Sequence, residues 1–156
     1  MKWFKVNGIE YKVRVYEPKE SFTILYSDNT GRTLDIGAPM VLDPLGTFFN
    51  YSLTVGAIKG EEKSFDDLWE LVSQPSPIPL LIVFPKGRKS YWSTTNDSGE
   101  EVQGFYAYVS SGDRGIKRII EDVNGDLEDV VYDSFTIKLT ATKAQLLPPQ
   151  PEEEDE

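Results

Sequence analysis

The chain has 156 residues, 39% of them hydrophobic and 27% charged; that length fits one domain with a real core, and that composition excludes wholesale disorder. It contains no histidine and no cysteine, which removes disulfides, thiolate nucleophiles, cysteine metal sites and the commonest general acid and base. The formal charge is −10, and five of those charges lie in EEEDE at 152–156, so the body is only mildly acidic and poorly suited to a nucleic-acid backbone.

From the N-terminus, Asn7-Gly8 stands between WFKV and IEYKVRVYE, where Ile9, Tyr11, Val13 and Val15 alternate with Glu10, Lys12 and Arg14. This predicts a tight hairpin with one face buried. After Pro18 the alternation resumes through Phe22, Ile24 and Tyr26, and it returns at Phe49, Tyr51, Leu53 and Val55 against Asn50, Ser52 and Thr54. Between these strands residues 27–46 form an arm with no regular period, and so long a structureless connection is unusual in a compact domain unless it has a job.

SFDDLWELVSQ predicts one short helix over about 64–73, with Ser64 as cap and Phe65, Leu68, Trp69 and Val72 on one stripe. Pro75, Pro77 and Pro79 stop it, and IPLLIVFP reads as a central strand, apolar on both faces. KSYWSTT and EVQGFYAYV flank Asn96 to Gly99 as a second hairpin, GIKRII is a shorter strand, and Asn124-Gly125 is a further turn. Val131, Phe135, Ile137, Leu139 and Ala141 share one face of a long last strand. LLPPQPEEEDE, 146–156, is expected neither to pack nor to pair, as a disordered acidic tail.

The expected architecture is therefore a single mainly β domain over 1–145, a β-sandwich or partly closed β-barrel of eight to ten short strands with one helix in a connection and a long extended arm. No apolar run approaches the about 18 residues that span a bilayer, and the N-terminus lacks the apolar core of a secretory signal.

Few residues offer chemistry. Asp66 with Asp67 and Glu100 with Glu101 are paired carboxylates, but the first pair opens a helix, where negative charge offsets the dipole, and the second follows a turn. Asp122, Asn124, Asp126 and Glu128 alternate around Gly125 like half of a calcium loop, with the glycine out of place for an EF-hand, so a polar turn is the simpler reading. Trp3, Tyr91, Trp92, Phe105, Tyr106 and Tyr108 could either form an aromatic platform for sugar or fill a sheet. Lys86, Arg88 and Lys89 form one basic loop and Arg114, Lys117 and Arg118 a second, both suited to acidic patches on neighbouring proteins. The arm carries the turn residues Asp28, Asn29 and Gly31, the charges Arg32, Asp35 and Asp43, and the apolar Ile36, Met40, Val41, Leu42 and Leu45. Such groups fold back on their own domain or are buried on another subunit.

The succession of GIEY, ESFTIL, NTGRTLDIGAP, DPLGTFFNYSLTV, the helix FDDLWELVSQP and PLLIVFP, with GFYAYVSSGD after it, resembles a group of small tail proteins encoded in prophages and long-tailed phages of Firmicutes. The likeness covers residues 7 to about 141. It implies a virion structural component of the tail tube, distal tail or baseplate, present in the host cytoplasm during assembly, without catalysis or cofactor. It further implies a ring-shaped homo-oligomer joined to its own copies and to neighbouring tail proteins by sheet edges and arms, with no specific nucleic acid and no membrane. On that implication Asp28, Asn29, Gly31, Arg32, Asp35, Met40, Val41, Leu42 and Leu45 are the candidate subunit interface. Arg88, Lys89, Arg114 and Lys117 are candidate secondary docking points. The alternative is a glycan-binding β-sandwich module.

Overall fold

The computed structural model of the protein describes residues 2–27, 31–32 and 40–149, with 31–32 and 40–41 given by their backbone alone. Its elements are β1 (Lys5–Val6), β2 (Val13–Tyr26), β3 (Gly31–Arg32), β4 (Met40–Val41), β5 (Pro44–Ala57), α1 (Glu62–Ser73), β6 (Leu80–Val83), β7 (Pro85–Gly87), β8 (Ser90–Tyr91), β9 (Ser93–Thr95), β10 (Glu101–Gln103), β11 (Phe105–Glu121) and β12 (Leu127–Ala141). Six of them form one strongly curled, half-barrel sheet in the order β1-β6-β11-β12-β5-β2. The protein is thus mainly β with one short helix, as expected.

The core is the inner face of this sheet. Cross-strand partners share a face, and the pairs Phe135↔Val55, Ile137↔Leu53 and Leu139↔Tyr51 align six buried side chains. Val6↔Ile82 and Ile82↔Phe105 carry the same face toward β1. Helix α1 covers part of this face with Phe65, Leu68 and Val72, the Phe65 ring 4.9 Å and the Trp69 ring 5.1 Å from Phe135. Phe84 and Phe105 close on Tyr51 nearer the start of β5, at 4.6 and 5.4 Å.

Several expectations change. The Asn7-Gly8 turn, with φ of 52° and 80°, closes only the single bridge Val6↔Ile9. β1 and β2 then part to opposite edges of the sheet, because Asn7 binds Leu81 through both backbone N–H and side-chain Oδ1, at 2.8 and 2.9 Å, and so ties β1 to β6. The helix begins two residues early: Ser64 lies inside it, and no side chain caps Glu61. Instead Glu62 Oε1 accepts the Gly60 N–H at 3.1 Å, and such backbone hydrogen bonds hold its carboxyl below the usual range.

Four strands, β2, β5, β11 and β12, are long, at 14 to 17 residues. GFYAYVSSGD and GIKRII are one 17-residue strand, β11, which pairs through Gly112 and passes Gly115 by a shift of register against β12. The arm is also less irregular than its sequence, since β2 and β5 pair from Val13↔Ala57 to Tyr26↔Pro44 with only two shifts of register, and beyond them Gly31↔Val41 and Arg32↔Met40 form a further ladder. At the C-terminus Leu146 does pair, exchanging backbone hydrogen bonds with Thr47 at 2.8 and 3.4 Å. Gly46 permits this approach, for a Cβ there would stand 2.5 Å from that of Ala144. The remainder of the acidic tail, 150–156, lies outside the described residues.

Candidate assembly surfaces

Two long hairpins run past the core in opposite directions. β5 and β12 are antiparallel, with Thr140↔Asn50 at one end of their ladder and Phe135↔Val55 at the other. The β2–β5 hairpin therefore overhangs where β12 ends, and the β11–β12 hairpin overhangs where β5 ends.

On the first overhang the core face continues outward, and no described residue covers it. Phe22 pairs with Phe49 and touches it at 6.2 Å between ring centroids, yet Phe22 is 62% exposed. Ile24, Leu25, Tyr26, Leu42 and Leu45 are exposed with it. The alternation of Phe22, Ile24 and Tyr26 is thus that of a strand whose apolar face is left open, which contradicts the expectation of burial. Among the described residues nothing packs over it, because α1 and Trp92 of the β7–β10 segment lie over the sheet body. β2 is also a free edge, interrupted by a bulge at Glu17 and Pro18 between Tyr16↔Thr54 and Lys19↔Ser52.

The second overhang carries Ile116, Ile119, Val123 and Leu127, all exposed, Val123 fully so. Its turn is built by Asp122, whose Oδ1 accepts the N–H of Asn124 at 2.8 Å and of Asp126 at 3.0 Å. That carboxylate therefore serves the hairpin turn, and among the described residues no three acidic groups gather as a metal site.

The candidate residues fall as follows. Asp28, Asn29 and Asp35 lie outside the described residues, and Gly31, Arg32, Met40 and Val41 are placed by backbone in β3 and β4. Leu42 and Leu45 stand exposed where the arm rejoins β5. Arg88 and Lys89 are exposed at the β7–β8 turn, and among the described residues no carboxylate pairs with them. Arg114 and Lys117 are not in a loop: both lie in β11. Lys117 is exposed, but the Arg114 guanidinium lies 3.5 Å from the Tyr132 ring centroid and 4.8 Å from that of Trp69, and meets Asp66 at 3.4 Å. Arg114 opposes Phe135 across the ladder, on the core face, so its cation is held by aromatic rings within the subunit. This turns it from a docking point into a clamp between helix and hairpin.

The aromatic platform is not assembled. Trp92 and Phe105 are buried, leaving Tyr91 and Tyr108 exposed. Trp92 Nε1–H donates to Tyr51 Oη at 2.7 Å, and Tyr51 Oη donates to Glu20 at 2.8 Å. A groove of about 700 Å³ between the helix exit and β11 is lined by Leu71, Pro75, Ile78, Leu80 and Tyr108 among others, with no carboxylate, lysine or arginine. Neither paired-carboxylate motif faces it: Asp66 is taken by Arg114, Asp67 by Lys63 at 3.2 Å, and Glu100 and Glu101 flank the start of β10.

Tyr51→Phe is expected to cost about 1–3 kcal/mol, because it strips the buried indole N–H of its acceptor. Burial, then the Glu20 hydrogen bond, pushes the Tyr51 hydroxyl pKa up. A raised folded-state pKa means that this contribution is complete below about pH 10 and is lost as pH rises beyond it. Urea unfolding of both proteins between pH 8 and 11 checks this: the gap between them should narrow above pH 10, and a gap unchanged across the range would contradict the assignment.

What the sequence reading missed is the second overhang. Ile116, Ile119, Val123 and Leu127 are ordinary strand and turn residues in sequence, and their exposure follows from the stagger of β12 against β5, which pair only from Phe135↔Val55 to Thr140↔Asn50. Comparison with protein-family models, with curated proteins and with solved structures found no match to this chain.

Proposed function

We propose that the protein is a structural subunit of a phage-like tail that assembles with its own copies and with neighbouring tail proteins, and that the β2–β5 hairpin is its assembly arm. The observation that carries this reading is the uncovered apolar strip Phe22, Ile24, Tyr26, Leu42 and Leu45, which runs out from the core along a free edge strand. An apolar strand face beside an open edge is stable in water when another chain adds to it, by main-chain pairing and by burial together. The resemblance of the arm and its flanking strands to Firmicutes phage tail proteins supplies the kind of assembly. Asp122 serves its turn, Glu62 the helix start, and Asp66 and Asp67 ion pairs, which fits a scaffold role.

The test is to shorten the arm. Ser27 N–H donates to Asp43 O at 2.9 Å, so Asn-Gly in place of 28–42 closes the hairpin as a two-residue turn. The full chain is expected to form discrete oligomers by light scattering and rings or tubes in negative stain, and the shortened chain to stay folded but associate more weakly. A full chain that remains monomeric at high concentration, or a shortened chain that assembles unchanged, would sink the proposal.

A further inference from the structure

We infer that the β11–β12 overhang of one copy docks on the β7–β8 end of a second copy, joining subunits head to tail. This rests on the tail-subunit reading only in its premise that the chain self-associates. The donor surface is the hairpin end. Beyond Arg118, residues 119–129 carry no cation and five exposed carboxylates, Glu121, Asp122, Asp126, Glu128 and Asp129, around the exposed Ile119, Val123 and Leu127. Such an end is both apolar and strongly negative, and among the described residues it meets nothing beyond the two strands that form it.

The receptor is at the other end of the same sheet. β6 pairs with the first residues of β11, Ile82↔Phe105 and Leu80↔Ala107, and runs antiparallel to it. It therefore leaves the sheet at the end opposite the β11–β12 turn, and β7 and β8 follow it. There Lys86, Arg88 and Lys89 place three exposed cations within four residues. The loop is continuous with the apolar strip: Lys86 Nζ lies 5.2 Å from the Trp92 ring centroid, Trp92 is 5.0 Å from Phe49, and Phe49 is 6.2 Å from the exposed Phe22. The β9–β10 turn beside it bears Asp97, Glu100 and Glu101, so the complementary ground is the β7–β8 turn itself.

A negative apolar hairpin and a positive loop beside an apolar strip are complementary in sign and in character. Because they lie at opposite ends of one sheet, a chain cannot satisfy both by itself. It can do so with two neighbours, and this head-to-tail contact is heterologous: repeated, it gives a ring where the rotation closes and a helical filament or tube where it does not.

Charge reversal tests this on the full chain. R88E/K89E and E121K/D126K/E128K reverse the net sign of the loop and of the hairpin end, change exposed side chains that hold no other described contact, and leave Asp122 in its turn and Lys86 on Trp92. Both variants should therefore fold, which thermal unfolding checks. Each alone sets like charges at every contact and is expected to weaken association about tenfold or more in sedimentation velocity at low salt. Mixed one to one, they present opposite signs at every contact between unlike copies, and assembly should return toward the wild-type level. Folded variants that associate like wild type, no recovery on mixing, or a wild type that never associates would each overturn the interface. If both reversals weaken association and the mixture recovers, yet the wild-type oligomers are neither rings nor tubes, the interface stands and the tail reading falls.

Discussion

Phe135→Ala is expected to remove about 3–5 kcal/mol of stability, the usual cost of emptying a large aromatic site in a core. Phe135 has no exposed surface, lies opposite Val55 on one side and Arg114 on the other, and receives the rings of Phe65 and Trp69 from the helix. Its removal therefore leaves a void where Phe65 and Trp69 fix α1 to the sheet, and the Arg114 guanidinium loses part of its apolar surround. Native stabilities are commonly 5–15 kcal/mol, so the variant keeps little reserve. Phe22→Ala is the control. Phe22 is a phenylalanine in a paired strand as well, but it is exposed, and its loss should shift the urea midpoint of the monomer by well under a third as much. Equal losses at the two positions would contradict the placement of the core.

These two phenylalanines also mark how far the sequence could be read. Both alternate with polar neighbours, and the pattern that correctly predicts the buried face of β12 and of β5 from Tyr51 to Val55 equally predicts burial for Phe22, Ile24 and Tyr26. Period-two alternation identifies which side chains share a face; it carries no information on whether another layer covers that face at that point along the strand. Coverage is decided by where α1 and the β7–β10 segment land, which is tertiary. The same limit explains β11. Gly112, Asp113 and Gly115 are ordinary turn residues, and the sequence reading breaks the strand there, whereas pairing with β12 carries the chain through by bulges. The Asn7-Gly8 turn was legible as a turn, but its strands were not legible as partners, because pairing of β1 with β6 is a contact between residues far apart in the chain.

The candidate surface divides in the same way. Leu42, Leu45, Arg88 and Lys89 are exposed where the sequence reading places candidate contacts, since turn-rich and charged segments rarely enter a core. Arg114 is the instructive failure: with Lys117 and Arg118 it looks like a basic cluster, yet Arg114 opposes Phe135 on the core face, while Lys117 and Arg118 lie further out on the overhang.

Gly104→Ala should be the most damaging glycine substitution, at roughly 2–4 kcal/mol, because it combines left-handed backbone strain with a clash against main chain. Gly104 has φ of 115°, and a Cβ there would stand 2.5 Å from the carbonyl oxygen of Ile82 and 3.1 Å from its carbon. Neither atom can swing aside as a side chain does. Ile82 is paired with Phe105, the next residue, so relief requires β6 and β11 to part at the start of their ladder. The Gly104 N–H also donates to Trp92 O at 2.6 Å, and any rotation that frees the Cβ pulls on that bond. Trp92 in turn holds Tyr51, so the disturbance reaches the core through one hydrogen bond. Gly125→Ala separates the two causes: its φ is 82° and its Cβ would meet nothing within 4 Å, so it should cost only the left-handed conformation, about 1 kcal/mol. Chemical denaturation of both variants gives the difference directly, and equal losses would mean that β11 does not leave Gly104 against the Ile82 carbonyl.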